Sequence, residues 1–146
     1  MHGHTVRRVG LVIAVTALLA LPSGAAWAHG DVTPQAVDTA GLPELGDEWL
    51  SENPYRDTEH FETAVEIGAK AYNQNCARCH GLDAVSGGIA PDLRYLYPGD
   101  DDEYYVERYQ IGVQRNGVTY MPGFGDVLGQ EAAWAIRSYL DTVAIE

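Results

Sequence analysis

Apolar residues recur at helical spacing in three stretches of the chain. The first runs from about Thr58 to Gln74, the second from about Asp102 to Gln114, and the third from Gln130 to about Val143. In each stretch the apolar positions repeat every three or four residues, as in a helix that buries one face in a core. The sequence therefore predicts a small all-α domain.

Capping and turn residues predict where two of these helices begin or end, and one residue inside the first helix is unusual. Thr58 is the expected N-cap of the first helix, and Asn116-Gly117 is expected to end the second helix in a turn. Gly68 lies in the middle of the first helix, where glycine costs about 1 kcal/mol relative to alanine. The usual reason for such a glycine is the close approach of another backbone or side chain.

Residues 1–28 have the pattern of a secretory signal peptide. Arg7 and Arg8 precede a thirteen-residue apolar run from Val9 to Leu21, and small residues surround a cleavage position after Ala28. The run is short for a bilayer span, which needs about 20 residues. We therefore expect cleavage after Ala28 and no stable membrane insertion afterwards; an uncleaved anchor is the alternative.

Residues 29–57 are rich in proline and glycine and show no sustained periodicity, which indicates an extended arm before a domain at 58–146. Leaving large apolar side chains in water forfeits about 1.5–3 kcal/mol each, so we expect those of the arm to pack on the domain. They are Leu42, Leu45, Trp49 and Leu50. A disordered tail is the alternative.

The clearest chemical signal is the motif Cys76-Ala77-Arg78-Cys79-His80. Two cysteines separated by two residues, followed directly by histidine, form the attachment signature of a c-type haem. The thiols add to the two vinyl groups of the porphyrin, and the histidine then binds the iron. Its second ring nitrogen needs an acceptor that fixes the tautomer, and the carbonyl of Pro91 is our candidate. A thiol–disulfide motif is the alternative reading of the two cysteines.

Haem iron takes a second axial ligand, for which Met121 is the candidate. It is the only methionine left once the signal is removed, and Pro122 and several glycines surround it, which suits a loop held against a flat ring. His60 is the next candidate; His29 and Lys70 are the other donors considered. Ligation by histidine and methionine raises the reduction potential and leaves no open position on iron, which favours transfer of single electrons over chemistry on a substrate.

Charge narrows the range of partners. After cleavage, seven basic residues remain against 21 acidic ones, a net charge of −14 before haem. That excludes nucleic acid and anionic lipid surfaces as favoured partners, since both are negative. It suggests a basic docking surface on the partner, while an apolar dock around the haem is the alternative. Both cysteines belong to the haem motif, so no structural disulfide is available.

With these residues in place, the sequence from about Thr58 to Val143 resembles the class I cytochromes c. The resemblance rests on the haem motif, Ala90-Pro91-x-Leu93, Met121-Pro122 and the helix from Trp134 to Leu140. It implies N- and C-terminal helices that cross around one covalently bound haem. It also implies that Gly68 and Tyr72 meet Tyr139 at the crossing, and that the Pro91 carbonyl accepts from His80.

Three further stretches resemble the periplasmic cytochromes c that serve pyrroloquinoline-quinone-dependent alcohol dehydrogenases. They are Asn53-Pro54-Tyr55-Arg56, Ala71-Tyr72-Asn73-Gln74-Asn75-Cys76 and Trp134-Ala135-Ile136-Arg137-Ser138-Tyr139-Leu140. This resemblance implies a periplasmic carrier without catalysis of its own. The quinoprotein alcohol dehydrogenase would be the donor, and a downstream cytochrome or terminal oxidase the acceptor. The alternatives are a haem c subunit held tightly in a larger oxidoreductase with the arm as tether, a haem sensor or peroxidase, and a plain dithiol protein.

Overall fold

The computed structural model of the protein describes residues 33–145, so the predicted signal peptide lies outside the described residues. Four α-helices follow the arm, with a hairpin between the third and fourth. The helices are α1 (Phe61–Asn75), α2 (Ala77–His80), α3 (Asp102–Ile111) and α4 (Gly125–Val143), and the strands are β1 (Val113–Arg115) and β2 (Val118–Met121). Single 3-10 turns lie at Leu82–Ala84 and Leu93–Tyr95. Among the described residues, no helix combines the length and apolar character of a membrane span.

The hairpin corrects the prediction of an all-α domain and of a helix reaching Gln114. Helix α3 ends at Ile111, because Gly112 turns the chain with a φ of 73°. Strands β1 and β2 then pair antiparallel. Asn116 and Gly117 join them with φ of 52° and 77°, the left-handed pair that a tight two-residue hairpin turn requires.

Two other helix boundaries differ from the prediction. Thr58 is not the N-cap of α1; its hydroxyl donates to the Tyr55 carbonyl at 2.7 Å and accepts from the His60 amide at 3.2 Å, in the turn before the helix. Helix α4 begins at Gly125 rather than Gln130, with a break at Gly129, whose φ is 76°. The helix that the sequence predicts from Gln130 is thus the longer part of α4, which follows the break at Gly129.

Helices α1 and α4 cross at Gly68, as the resemblance implied. A Cβ atom at this position would lie 1.8 Å from the carbonyl oxygen of Ala135, so only glycine permits the approach. One turn further along α1, the rings of Tyr72 and Tyr139 pack with centroids 5.3 Å apart. The predicted crossing and the contact between Tyr72 and Tyr139 are therefore confirmed, whereas the atoms nearest to Gly68 belong to the backbone of Ala135 and Ile136.

The core lies between α1, α3 and α4. Helix α3 is tied to α4 by the Tyr105 hydroxyl, which donates to the Ala133 carbonyl at 3.0 Å. The largest apolar side chains that are almost fully buried are Tyr55, Tyr72, Trp134, Ile136 and Leu140.

The described part of the arm packs along the domain instead of forming a disordered tail. Leu42, Leu45 and Trp49 are partly buried against the core, whereas Leu50 is 38% exposed, so the expectation fails for that residue. Side chains of the helices bind the arm's backbone. The Gln130 amide donates to the Gly46 and Glu48 carbonyls, Glu131 accepts from the Leu45 amide, and Asn75 exchanges two hydrogen bonds with Gln35.

A buried ionic network joins the end of the arm to α3 and α4. Asp102 accepts from Arg56 at 2.8 Å and from Arg137 at 2.8 Å, and Asp141 pairs with both arginines at 2.9 Å. Burial alone would raise the pKa of Asp102, but hydrogen bonds from Arg56, the Asn53 amide and Arg137 outweigh it and lower that pKa. At Asp141, burial raises the pKa by more than the two arginines lower it, so the pKa of this carboxyl is raised.

Candidate haem site

The haem motif consists of Cys76, which directly follows α1, and the four residues of the short helix α2. The Cys76 amide donates to the Tyr72 carbonyl at 2.8 Å, and the Cys79 and His80 amides both donate to the Cys76 carbonyl, at 3.1 and 3.0 Å. Residues three apart lie on the same side of a helix. This turn therefore presents both thiols to one side, with His80 next to the second of them.

The Cys76 thiol does not have the character of a redox-active thiol. Both cysteines are free. Burial, together with the neighbouring Cys79, raises the pKa of the Cys76 thiol to about 12. Catalytic thiols in Cys-x-x-Cys motifs have a lowered pKa, because the thiolate is the nucleophile. The raised pKa of Cys76 therefore disfavours the thiol–disulfide alternative.

His80 is oriented by the chain that returns past it. Its ring is nearly buried, and Nδ1 lies 2.8 Å from the Pro91 carbonyl oxygen. A carbonyl can only accept, so Nδ1 carries the proton and Nε2 keeps a lone pair suitable for a metal. The structure thus brings together the histidine and the proline carbonyl that the sequence singles out.

The loop after His80 is held tightly to the motif. The Tyr72 hydroxyl donates to the Gly81 carbonyl at 2.8 Å. Gly81 has a φ of 84°, and a Cβ atom there would lie 1.8 Å from the Val85 carbonyl oxygen. Only glycine fits this turn, which carries the chain directly away from His80.

Met121 ends strand β2 and is half-buried against the core. Gly112 allows this placement, since a Cβ atom there would lie 2.3 Å from the Met121 carbonyl oxygen. Beyond Met121, the Phe124 amide donates to the Tyr109 carbonyl at 2.8 Å, which fixes the Gly/Pro-rich segment to α3. The hairpin is the element that the sequence analysis missed, although its Asn-Gly turn is a known hairpin signal.

The other candidate donors lie in less suitable places. His60 is separated from Cys76 by the fifteen residues of α1, about 22 Å at 1.5 Å per residue. An axial ligand bonds the same iron as His80, so this distance removes His60. Lys70 lies midway along the same helix, and His29 falls outside the described residues.

The fold and the site together define a c-type cytochrome. A family model described as "Cytochrome C oxidase, cbb3-type, subunit III" matches residues 63–140. Cytochrome c550 of Pseudomonas aeruginosa is 56% identical over 148 residues, covering 100% of this chain and 99% of that protein. The chain belongs to this family of cytochromes c.

Two more distant similarities follow. Quinohemoprotein alcohol dehydrogenase ADH-IIG of Pseudomonas putida is 40% identical over 81 residues, which span 53% of this chain and 10% of that enzyme. The crystal structure of cytochrome CL from Methylophaga aminisulfidivorans matches with a TM-score of 0.51 and 19% identity, covering 74% of each chain. The latter similarity supports the fold alone.

The residues present fit the cofactor of this family. Two free thiols three residues apart can form two thioether bonds, and the imidazole next to them keeps Nε2 available. Cys76, Cys79 and His80 therefore match the attachment motif in arrangement as well as in sequence. The protein carries covalently bound haem c and is an electron carrier of the cytochrome c type.

Proposed function

We propose that this protein is a periplasmic single-haem carrier that takes single electrons from a quinoprotein alcohol dehydrogenase towards a terminal oxidase, directly or through a downstream cytochrome. The similarity to the P. putida quinohemoprotein alcohol dehydrogenase carries this proposal. That enzyme contains, within one much longer chain, a segment that resembles most of the present cytochrome domain. A haem segment next to a quinone-dependent dehydrogenase is a precedent for electron transfer between the two. In our proposal the present protein performs the same transfer as a separate molecule.

His80 and Met121 are the proposed axial ligands. When bound, haem c supplies an iron centre that takes up and releases one electron at a time. The Pro91 carbonyl holds the proton on Nδ1 of His80 and directs Nε2 to the metal. The Met121 thioether would favour the reduced state and raise the potential. With both positions taken by side chains, the iron would have no place for a substrate, and the protein would be an electron carrier without catalysis of its own.

The proposed location follows from the first part of the chain. Residues 1–28 would direct export and be removed after Ala28, leaving the arm at 29–57 and the cytochrome domain at 58–146. N-terminal sequencing of the protein purified from the periplasm tests this directly. A sequence beginning at His29 is the expected result; recovery in the membrane fraction with residues 1–28 retained would contradict it.

Reduction by the proposed donor is the decisive experiment. The oxidised protein is mixed with a quinoprotein alcohol dehydrogenase from the same source and ethanol, and the haem absorbance is followed. We expect fast reduction that requires both enzyme and alcohol, with reactions lacking either one as controls. If dithionite reduces the haem but the dehydrogenase does not, the protein remains a cytochrome and the proposed donor is wrong.

A second candidate is a haem c subunit held permanently in a larger oxidoreductase. The family model is named for an oxidase subunit, and the FixP oxidase subunit of Rhizobium meliloti is 36% identical over 86 residues, 53% of this chain and 29% of that protein. The described part of the arm binds its own domain, which leaves less of it to act as a tether. Copurification with a partner at high salt would favour the subunit; recovery alone would favour the carrier.

A further inference from the structure

We propose that Ser86 is a positioning residue for the haem iron: it holds the Pro91 carbonyl against Nδ1 of His80 and thereby sets how strongly His80 donates to the metal. The hydrogen bond between His80 and Pro91 belongs to the site already described, and the new element is the side chain that keeps its acceptor in place. The role assigned to Ser86 rests on the proposed ligation by His80 and does not depend on which protein donates electrons.

The two partners of the hydrogen bond are held in different ways. His80 ends helix α2, and its backbone amide donates to the Cys76 carbonyl at 3.0 Å. Pro91 lies in a segment, residues 86–91, that belongs to no helix or strand, and no backbone–backbone hydrogen bond in the described part of the chain involves this segment. Proline also has no amide proton of its own. The position of the Pro91 carbonyl therefore depends on side chains.

Ser86 contacts both residues that flank Pro91. Its hydroxyl donates to the Ala90 carbonyl, and its backbone amide donates to Oδ2 of Asp92 at 3.3 Å. The same hydroxyl accepts from the Gly88 amide at 2.9 Å, which fixes its direction. Because peptide units are planar, holding the residues on both sides of Pro91 restricts rotation of the carbonyl between them.

Arg94 makes Asp92 a firm anchor for Ser86. The Asp92 carboxylate accepts from the Arg94 backbone amide at 3.1 Å and from its guanidinium at 3.0 and 2.8 Å. The Arg94 carbonyl in turn accepts from the Ile145 amide at 3.0 Å, just beyond helix α4. The carboxylate is thus tied to the folded domain, and Ser86 links it to the segment that carries Pro91.

The strength of the bond to Pro91 affects the metal through the imidazole. An imidazole that donates a firm hydrogen bond from one nitrogen is a stronger base at the other. A more basic His80 stabilises the oxidised iron, which carries the greater positive charge, and so lowers the reduction potential. Without the Ser86 hydroxyl, the Pro91 carbonyl would be less well fixed and the bond from Nδ1 would weaken. We therefore expect the potential to rise.

The test compares three variants of the holoprotein. Ser86→Ala removes the hydroxyl without changing the charge, and Ser86→Thr retains a hydroxyl. Thr142→Ala is the matched control, because the Thr142 hydroxyl also donates to a backbone carbonyl, that of Tyr139 at 2.7 Å. Hydrogen exchange of the His80 Nδ1 proton is measured by NMR in the reduced protein, and the reduction potential by spectroelectrochemistry.

The expected results differ between a positioning role and a purely structural one. In Ser86→Ala we expect the Nδ1 proton to exchange about fivefold faster or more, the factor that corresponds to the net contribution of one hydrogen bond, and the potential to be higher. Ser86→Thr and Thr142→Ala should keep the wild-type values. A purely structural role would lower the stability of Ser86→Ala in urea and leave the exchange rate and the potential unchanged. That result, or a Ser86→Thr variant that behaves like Ser86→Ala, overturns our proposal.

Two further readouts keep the outcome decisive. If Ser86→Ala yields no holoprotein, Asp92→Asn tests the same hold on Pro91 from the other side. Because this change also alters charge, only the exchange rate is compared: faster exchange supports the role of Ser86, and unchanged exchange overturns it. The porphyrin ring current displaces the NMR signals of an axial imidazole. If the His80 signals of the wild type show no such displacement, the proposed ligation is wrong, and with it the effect on the iron; the exchange rates then decide whether Ser86 holds the carbonyl.

Discussion

Replacing Gly68 by alanine tests the helix crossing that organises the fold. On helix propensity alone the change should stabilise α1 by about 1 kcal/mol. The structure predicts the opposite sign. The new Cβ atom would lie 1.8 Å from the carbonyl oxygen of Ala135 and 2.9 Å from the amide nitrogen of Ile136. Both obstacles are backbone atoms, so α1 and α4 must separate by roughly 1.6 Å before the contact becomes ordinary.

The expected magnitude follows from these two opposing effects. Overpacking a core costs about 1–3 kcal/mol and sometimes more, and rigid backbone places this site at the upper end. After the gain in propensity, we expect a net loss of about 2 kcal/mol or more in the free energy of unfolding. Loosened contact between Tyr72 and Tyr139 should accompany it.

Equilibrium unfolding of the holoprotein in urea, with haem absorbance and far-UV circular dichroism as probes, measures this loss. Gly87→Ala is the matched control. A Cβ atom there meets nothing within 4 Å, and removing glycine stiffens the unfolded chain, so a neutral or slightly stabilising effect is expected. If Gly68→Ala were as stable as the wild type or more so, the close crossing of α1 and α4 would be refuted.

Three further predictions concern the site and the charges. Met121→Ala should keep covalent haem but lower the reduction potential measured by spectroelectrochemistry, since a weak donor to Fe(II) is lost; an unchanged potential would exclude Met121 as ligand. Asp102→Asn should reduce the free energy of unfolding in urea by about 3 kcal/mol, because the fully buried Arg137 loses a charged partner; unchanged stability would argue against the network. Hydrogen bonds from Arg94 lower the pKa of Asp92 to about 2, below its unfolded value. The stability from this carboxylate is therefore fully present above about pH 4 and is lost as the pH falls through about 2. In Arg94→Ala, an NMR titration should show a higher pKa for Asp92.

The interiors of the helices could be predicted from the sequence, but their ends could not. Periodicity reports which face is buried, and that signal covers α1, α3 and the longer part of α4. It does not report where the backbone turns, which depends on close contacts. Gly112 ends α3 because the Met121 backbone lies against it. That contact cannot be inferred from the residue at position 112 alone. The strands were not predicted because three or four residues are too few to show an alternation of apolar and polar positions.

The haem motif could be predicted because its chemistry is local, and the Pro91 contact because it lies only 11 residues from His80. The ionic network could not. Asp102 accepts from Arg137, 35 residues later, and from Arg56, 46 residues earlier. In the sequence, Asp102 belongs to an acidic run that suits a helix N-terminus and gives no sign of burial. Only the packing of the arm, α3 and α4 together brings these charges out of water.

The same limitation applies to the electrostatics of docking. A net charge of −14 for the exported chain indicates attraction to a basic partner at long range, but this sum contains no positions. In the structure, Arg56, Asp102, Arg137 and Asp141 pair with one another in the buried network, and Arg94 pairs with Asp92, so these six charges compensate one another. Exposed charges more than about 10 Å apart are largely screened at 0.1 M salt. The net charge of the chain therefore does not say which charges a docked partner would meet.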